Sequence, residues 1–273
     1  MARRVKSLSR IETLISLAGG RDSVRTVFDV GANDGADSLP LARFYPGIKF
    51  IAIEPTPELA RALKSESELL HNYTVCACAI GLADGQVRFK IRSSSVHNSL
   101  EEINEPNLAR VGVDPDEYAI REEISVPVRT LKSVCEELEV ESIDILHVDA
   151  QGSDLDVLVS AGELLQTVRA GVLEGGRRLN LYANTATRWE ILRFLMANGF
   201  RVARVRPADR FNFEQNIFFT SSPNQRPILA RVWAITQSVR GDAEYLTSLL
   251  GRRTLRWRLA FKARTRRGHA RWR

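Results

Sequence analysis

Hydrophobic segments alternate with amphipathic segments along most of the chain. Short and nearly continuous apolar runs, such as VFDV and FIAI, are typical of strands that are buried on both faces. Between these runs, stretches such as PELARALKSESELL space their apolar residues at the intervals of a helix. Strands that alternate with helices predict a mainly parallel sheet covered on both faces, so the pattern predicts an α/β fold.

The order of the elements predicts a doubly wound sheet. A short connection that contains Asp and Asn links RVARVRP to QNIFFTSS, and it favours an antiparallel hairpin at the C-terminal edge of the sheet. The stretch YTVCACAIG (73–81) is predicted as one strand and QVRFKIR (86–92) as a half-exposed strand. Residues 92–123 are polar and irregular, which predicts a lid or an active-site insertion because simple connections are shorter.

The same pattern divides the chain into three regions. An N-terminal helical segment covers residues 1–24, the α/β domain covers 25–222, and a helical extension with a basic tail covers 223–273. The extension is predicted to pack on the domain or on a second subunit of a homodimer.

The composition is that of a soluble globular protein. Of the 273 residues, 44% are hydrophobic and 26% are charged, and no apolar run approaches the roughly 18–20 residues that span a bilayer. The three cysteines, Cys76, Cys78 and Cys135, show neither a CxxC pair nor a zinc-site spacing. They are therefore predicted to be reduced residues of a cytoplasmic protein.

The net charge of +6 conceals a strong asymmetry. Residues 252–273 contain ten Lys and Arg and no acid, whereas the rest of the chain carries 29 basic and 33 acidic residues, a net charge of −4. Three interpretations of this tail remain open: an anchor on an anionic membrane surface, a nucleic-acid contact, or a solvated terminus. The interleaved Trp257, Phe261 and Trp272 favour a tail that binds a surface, and hence a peripheral membrane location.

The stretch VFDVGANDGAD (27–37) ends a buried strand with acids and glycines. Gly31 and Gly35 allow the backbone to approach a ligand. A dinucleotide would require G-x-G-x-x-G and a helix N-terminus clear of acids, because a pyrophosphate lies there. Asp29 disfavours a phosphate but suits a cationic amine. The loop therefore favours S-adenosylmethionine, which carries an ammonium and a sulfonium, over NAD.

The next two strands supply the expected partners of a nucleoside. Glu54 ends the second strand 25 residues after Asp29, close to the roughly 20 residues that separate the loop from a ribose-binding acid. Ala79 and Ile80, in CAIGLADG, are predicted to border the adenine.

A second cluster lies in IDILHVDAQGSDLDVL. His147 and Asp149 point to the same side of a strand because side chains alternate, and Glu174 ends the following strand. The sequence thus predicts one cleft rimmed by Asp29, Glu54, Asp149 and Glu174. Asp149 is the preferred general base, with His147 and His97 as alternatives, and a buried structural role fits His147 equally well. Mg²⁺ on Asp149 and Glu174 ranks below metal-free catalysis because no third ligand is evident.

Six stretches together resemble the FkbM family of S-adenosylmethionine-dependent methyltransferases. They are FDVGANDG, AIEPTPELARAL, CAIGLADG, VPVRTLKSV, IDILHVDAQGSDLDVLVSAG and VLEGG, and the resemblance covers residues 25–220. It implies a seven-stranded Rossmann-like sheet, a class I methyltransferase domain over 25–222, and O-methylation of a small-molecule or glycan acceptor, often a sugar or a natural product.

The resemblance also implies roles for individual residues. The residues that it implies for cofactor binding are Asp29, Gly31, Asn33, Gly35 and Glu54, together with the adjacent Ala32 and Pro55. It also implies that Asp149 and Gln151 face the transferred methyl group. The family commonly has lysine in place of His147 and often aspartate in place of Lys132. Three other functions stay open: ribose methylation of nucleic acid, a surface-binding adaptor that uses the tail, and an NAD-dependent oxidoreductase.

Overall fold

A computed structural model of the chain describes residues 9–111, 114–176, 181–183, 185–208 and 214–221. The predicted extension over 223–273, with its basic tail, lies outside the described residues, as do residues 1–8. The interpretations of the tail, of membrane or nucleic-acid contact and of a homodimer therefore stay predictions.

The described helices and strands follow the alternation of the sequence. The helices are α1 (Arg10–Leu17), α2 (Leu39–Phe44), α3 (Pro57–Glu66), α4 (Glu105–Val111), α5 (Leu131–Glu137), α6 (Asp154–Ser160) and α7 (Arg188–Ala197). The strands are β1 (Thr26–Val30), β2 (Lys49–Ile53), β3 (Tyr73–Cys76), β4 (Ala79–Ile80), β5 (Gly85–Arg92), β6 (Ile120–Arg129), β7 (Ile145–Val148), β8 (Ala170–Gly176), β9 (Phe200–Pro207) and β10 (Glu214–Ser221).

The main sheet has seven strands in the order β3-β2-β1-β7-β8-β10-β9. The first five are parallel, and β10 pairs antiparallel with both β8 and β9. The predicted doubly wound sheet and its antiparallel edge hairpin are confirmed. Since β1 lies beside β7, the strand order reverses between them, and their carboxyl ends mark the place where ligands bind in such sheets.

Side-chain alternation assigns each face of the sheet to a different hydrophobic core. Phe28 and Val30 of β1 pack with residues of α5, α6 and α7, whereas Val27 packs with residues of α1, α2 and α3. Asp29 follows Val27 on the face that α1 covers. The N-terminal helix thus shares a core with the sheet, through the fully buried Ile11 and Leu14.

One predicted strand boundary is wrong, and β6 is a strand that was not predicted. YTVCACAIG is two strands, because β3 ends at Cys76 and β4 pairs with β6 in a separate sheet of order β4-β6-β5. Residues 120–123, predicted as part of the irregular insertion, begin β6. Their side chains are exposed, so this part of the strand carries no hydrophobic alternation for the sequence to reveal.

The side chains of all three cysteines are buried or half-buried. Cys76, Cys78 and Cys135 are free thiols, and burial raises the pKa of each above its ordinary value. Among the helices in the described ranges, none has both the length and the apolar character to cross a bilayer.

Candidate functional site

A cavity of about 290 Å³ lies at the carboxyl ends of β1, β2 and β7. Its lining includes residues of the insertion, among them Ser95, Val96 and Asn98. Most residues predicted for the site also line it: Asp29, Gly31, Ala32, Asn33, Glu54, Pro55, Ala79, Ile80, Asp149 and Gln151. The structure therefore brings most of the predicted cofactor residues and two predicted catalytic residues together.

Four residues predicted for the site do not line this cavity. Gly35 packs against α3, and His147 is 1% exposed beside Asp29. Glu174 contacts Arg10, so the predicted rim of four acids is reduced to three. His97 stacks on Tyr118 with ring centroids 4.1 Å apart. Burial lowers the pKa of His97. A general base would have to reach the cavity, and His97 does not line it.

Asp29 and His147 form a buried pair across neighbouring strands. Their backbones stand in register, and His147 Nδ1 lies 2.8 Å from Asp29 Oδ1. Burial raises the pKa of Asp29, but the hydrogen bond and the charge of His147 outweigh it and hold the pKa below its ordinary value. Asp29 Oδ2 is buried and has no hydrogen-bond partner by distance and angle among the described residues. The nearby Ser38 hydroxyl lies 2.8 Å from the Tyr73 hydroxyl, and Ser38 also helps to lower the pKa of Asp29.

Glu54 is oriented by two backbone N–H groups. Asn33 donates to Oε2 and Thr56 donates to Oε1, each at 2.8 Å. Burial raises the pKa of Glu54 in spite of these bonds. Each carboxylate oxygen keeps a lone pair that can accept a further hydrogen bond from a hydroxyl in the cavity.

The two glycines of the loop are required by the protein's own packing. Gly31 has φ +80°, and a Cβ there would lie 2.0 Å from the carbonyl oxygen of Asp149. At Gly35, with φ +75°, a Cβ would lie 2.5 Å from the side chain of Leu63. The spacing of the glycines thus reflects close contact with β7 and α3 rather than a ligand approach alone.

Replacement of Gly31 by alanine is expected to lower the free energy of unfolding by about 2–5 kcal/mol, because the new methyl group overlaps the Asp149 carbonyl and the backbone is strained. Thermal unfolding measures the loss. Gly47→Ala is the matched control, since a Cβ there meets no atom within 4 Å. Equal melting temperatures for the two variants would contradict the prediction.

Asp149 belongs to a chain of hydrogen bonds. The Tyr182 hydroxyl donates to Gln151 Oε1 at 2.6 Å, and Gln151 Nε2 donates to Asp149 Oδ1 at 2.5 Å. Burial raises the pKa of Tyr182 well above its ordinary value, so the phenol remains a donor. Gln151 has φ +46°, and its carbonyl oxygen accepts a bond from Ser99 of the insertion. The carboxylate of Asp149 is therefore held by side chains whose own positions are fixed.

Arg10 is a residue of the site that was not predicted from the sequence. The guanidinium of Arg10 donates to Asp149 at 3.1 Å, to Glu174 at 3.4 Å and to Asp37 at 2.8 Å. No sequence motif marks this arginine, which reaches the cavity only because α1 packs on the sheet. Tyr182 was missed as well, since it lies in a stretch without regular periodicity.

Asp154 has a larger role than the sequence suggests. It begins α6, where the helix dipole stabilises a negative charge. The residue is nevertheless only 3% exposed, and its carboxylate accepts hydrogen bonds from the backbone N–H groups of Gly152 and Glu174. Burial and the charge of Asp149 raise its pKa to about 7. Asp154 thus ties the turn after β7 to β8.

The charges of the cavity fit a cationic cofactor. Among the described residues, its lining contains five carboxylates, those of Asp29, Asp34, Asp37, Glu54 and Asp149, and one cation, Arg10. Oδ2 of Asp29 is a buried acceptor to which no described residue donates, and an ammonium group is a donor of the kind that would satisfy it. Within the described ranges, no three His, Cys, Asp or Glu side chains are arranged to hold a metal ion.

Known proteins resemble the chain in sequence and in structure. The 2-O-methyltransferase NoeI of Sinorhizobium fredii is 28% identical over 174 residues, which are 60% of this chain and 67% of NoeI. An FkbM methyltransferase from Methylobacillus flagellatus matches with a TM-score of 0.46 and 13% identity, covering 72% of this chain but only 43% of that one.

A further similar structure is an O-methyltransferase from a trans-AT polyketide synthase of Brevibacillus brevis, in complex with S-adenosyl-L-homocysteine. Its TM-score is 0.47 at 10% identity, and the match covers 91% of this chain and 84% of that one. The sequence model of the methyltransferase FkbM domain matches residues 29–202, more than half of the chain. The chain belongs to the FkbM methyltransferase family and is an S-adenosylmethionine-dependent methyltransferase.

Proposed function

We propose that the enzyme transfers a methyl group to a hydroxyl of an uncharged or cationic small molecule or glycan. The observation that carries this proposal is the charge of the cavity, whose lining has five carboxylates and one guanidinium. The excess of negative charge disfavours acceptors with a net negative charge, such as phosphates, whereas a sugar hydroxyl can donate hydrogen bonds to the acids of the cavity. The similarity to a 2-O-methyltransferase supports O-methylation.

The cofactor residues have separate roles in this proposal. Asp29 Oδ2 accepts a hydrogen bond from the α-ammonium, and Glu54 accepts hydrogen bonds from the ribose hydroxyls. Ala79 and Ile80 border the adenine as apolar neighbours. His147 lies behind Asp29 and keeps its carboxylate ionised. The cavity thus favours a cofactor without phosphates over NAD.

Asp149 is proposed as the general base. Bound S-adenosylmethionine supplies an electrophilic methyl group, and the acceptor hydroxyl must lose its proton as it attacks. Asp149 accepts that proton, while Gln151 and Tyr182 hold its carboxylate in place. His147 is a weaker candidate, because it does not line the cavity and its Nδ1 is bonded to Asp29. This scheme needs no metal ion.

Two measurements test the proposal. Calorimetric titration should give a Kd between about 1 μM and 1 mM for S-adenosylmethionine and no binding for NAD. Radiolabelled methyl transfer to a panel of neutral glycans should label at least one of them, and the same glycan with its hydroxyls already methylated is the matched control. Binding of NAD alone, or equal labelling of the blocked glycan, would contradict the proposed function.

A further inference from the structure

Helix α1 contributes to the cavity although it precedes the family domain. The domain match begins at residue 29, whereas Arg10 lines the same cavity as Asp29 and Asp149. The guanidinium is 29% exposed and lies among three carboxylates from three other parts of the chain.

The position of Arg10 is fixed by its helix. Ser9 and Glu12 form a reciprocal capping box at the start of α1, so the backbone around Arg10 has a defined direction. Ile11 and Leu14 are fully buried against the sheet, which holds the helix in place. Arg10 is therefore preorganised rather than carried on a free segment.

The contacts of Arg10 divide between its two terminal nitrogens. Nη1 donates to both Asp149 Oδ2 and Glu174 Oε1, so these carboxylates meet at a single atom. Nη2 donates to Asp37 Oδ2. Nη1 thus occupies a position that two carboxylate oxygens approach together, as they do around a bound divalent cation.

A cation at this place favours the ionised form of Glu174. Burial, with the charges of Asp149, Glu214 and Asp154, raises the pKa of Glu174, and Arg10 acts in the opposite direction. Burial lowers the pKa of Arg10 but the three carboxylates outweigh it, so the guanidinium stays charged. Without Arg10, burial and the charge of Asp149 would favour the protonated form of Glu174, and the two carboxyl groups would lose the donor that they share.

We propose that Arg10 is a built-in cation of the catalytic cavity: a positioning residue that holds Asp149 and Glu174 together and takes the place a divalent metal would occupy. The inference rests on the proposed function, because Asp149 is the base that Arg10 positions. A residue outside the family domain then completes the reaction centre.

The test compares R10M, R10K and R21M in the full-length chain. R21M is the matched control, because Arg21 lies in the same N-terminal segment but pairs only with its exposed neighbour Asp22 among the ion pairs of the described residues. R10M should bind Mn²⁺ with a Kd on the order of 1 mM, seen as loss of the free Mn²⁺ signal in electron paramagnetic resonance. Wild type, R10K, R21M and the double variant R10M/D149N should leave the signal unchanged.

The kinetic readout separates positioning from folding. With the glycan that accepts the radiolabel, R10M should lower kcat about 100-fold while the Kd for S-adenosylmethionine stays within about threefold, and R10K should restore part of kcat. A folded R10M that binds no Mn²⁺, or that keeps wild-type kcat, overturns the proposal. If R10M does not fold, full activity of R10K overturns it instead.

Failure of the proposed function has a different signature. In that case the wild-type protein would not bind S-adenosylmethionine, whereas the Mn²⁺ measurement requires neither cofactor nor acceptor. The two proposals can therefore fail independently.

Discussion

Replacement of Asp29 by asparagine should weaken the binding of S-adenosylmethionine at least about 30-fold, because loss of one partner from a buried charged hydrogen bond costs about 2–5 kcal/mol. Asp29 is 1% exposed, and its Oδ2 has no hydrogen-bond partner among the described residues. The ammonium of the cofactor would be that partner. Asparagine keeps the shape of the side chain but removes its charge.

Calorimetric titration measures the loss of affinity. The matched control is Asp22→Asn, since the side chain of Asp22 is 94% exposed and the change in net charge is the same. Circular dichroism and thermal unfolding show whether the Asp29 variant remains folded without its full pairing to His147. A folded Asp29→Asn protein with wild-type affinity would refute the role of this carboxylate.

The strands that build the site could be predicted because they are buried on both faces. β1, β2 and β7 are nearly continuous apolar runs, so each ends visibly where a polar residue follows. Asp29 is the penultimate residue of β1, Glu54 and Asp149 directly follow β2 and β7, and the parallel order of the sheet places all three at one edge. The sequence shows where each of these strands ends, and the parallel topology shows that the ends lie side by side.

The element that the sequence did not show is exposed. The first four residues of β6 are accessible to solvent, so they carry no apolar alternation and look like an irregular insertion. Their partners in β5 hold them by backbone hydrogen bonds, which leave no mark on residue type. The prediction of an insertion beside the active site was nevertheless useful, because Ser95 and Asn98 line the cavity.

Side-chain pairings between distant elements could not be read from the sequence. The alternation of a strand places His147 and Asp149 on one side, but it does not show that His147 is covered and bonded to Asp29. Arg10 lies 139 positions from Asp149 along the chain, and their contact depends on how α1 docks. Such contacts depend on tertiary packing, which cannot be predicted from the periodicity of hydrophobic residues along the chain.

The sequence correctly predicted a turn with glycines after β1, but it supplied only part of the reason for these glycines. From the sequence, Gly31 is interpreted as a residue that lets the backbone come close to a ligand. In the structure, a Cβ at Gly31 would overlap the Asp149 carbonyl, so the glycine brings β1 and β7 together at their ends. The same close contact brings the loop that follows Asp29, the proposed cofactor acid, next to the backbone of Asp149, the proposed base.

Replacement of Asp149 by asparagine should lower kcat about 10²- to 10⁴-fold, the usual contribution of a general base. The amide cannot take the proton of the acceptor hydroxyl. Its oxygen can still accept the hydrogen bond from Gln151, and Arg10 keeps Asp37 and Glu174 as partners. The affinity for S-adenosylmethionine should therefore change little, because Asp29 and Glu54 are intact.

Single-turnover transfer of the radiolabelled methyl group to the glycan measures the chemical step, and calorimetry measures cofactor affinity. Asp156→Asn is the matched control, since Asp156 lies on the adjacent α6 but does not line the cavity. His147→Asn separates the two candidate bases. We expect it to weaken cofactor binding through Asp29, whereas a loss of kcat in His147→Asn with normal kcat in Asp149→Asn would assign the base to His147.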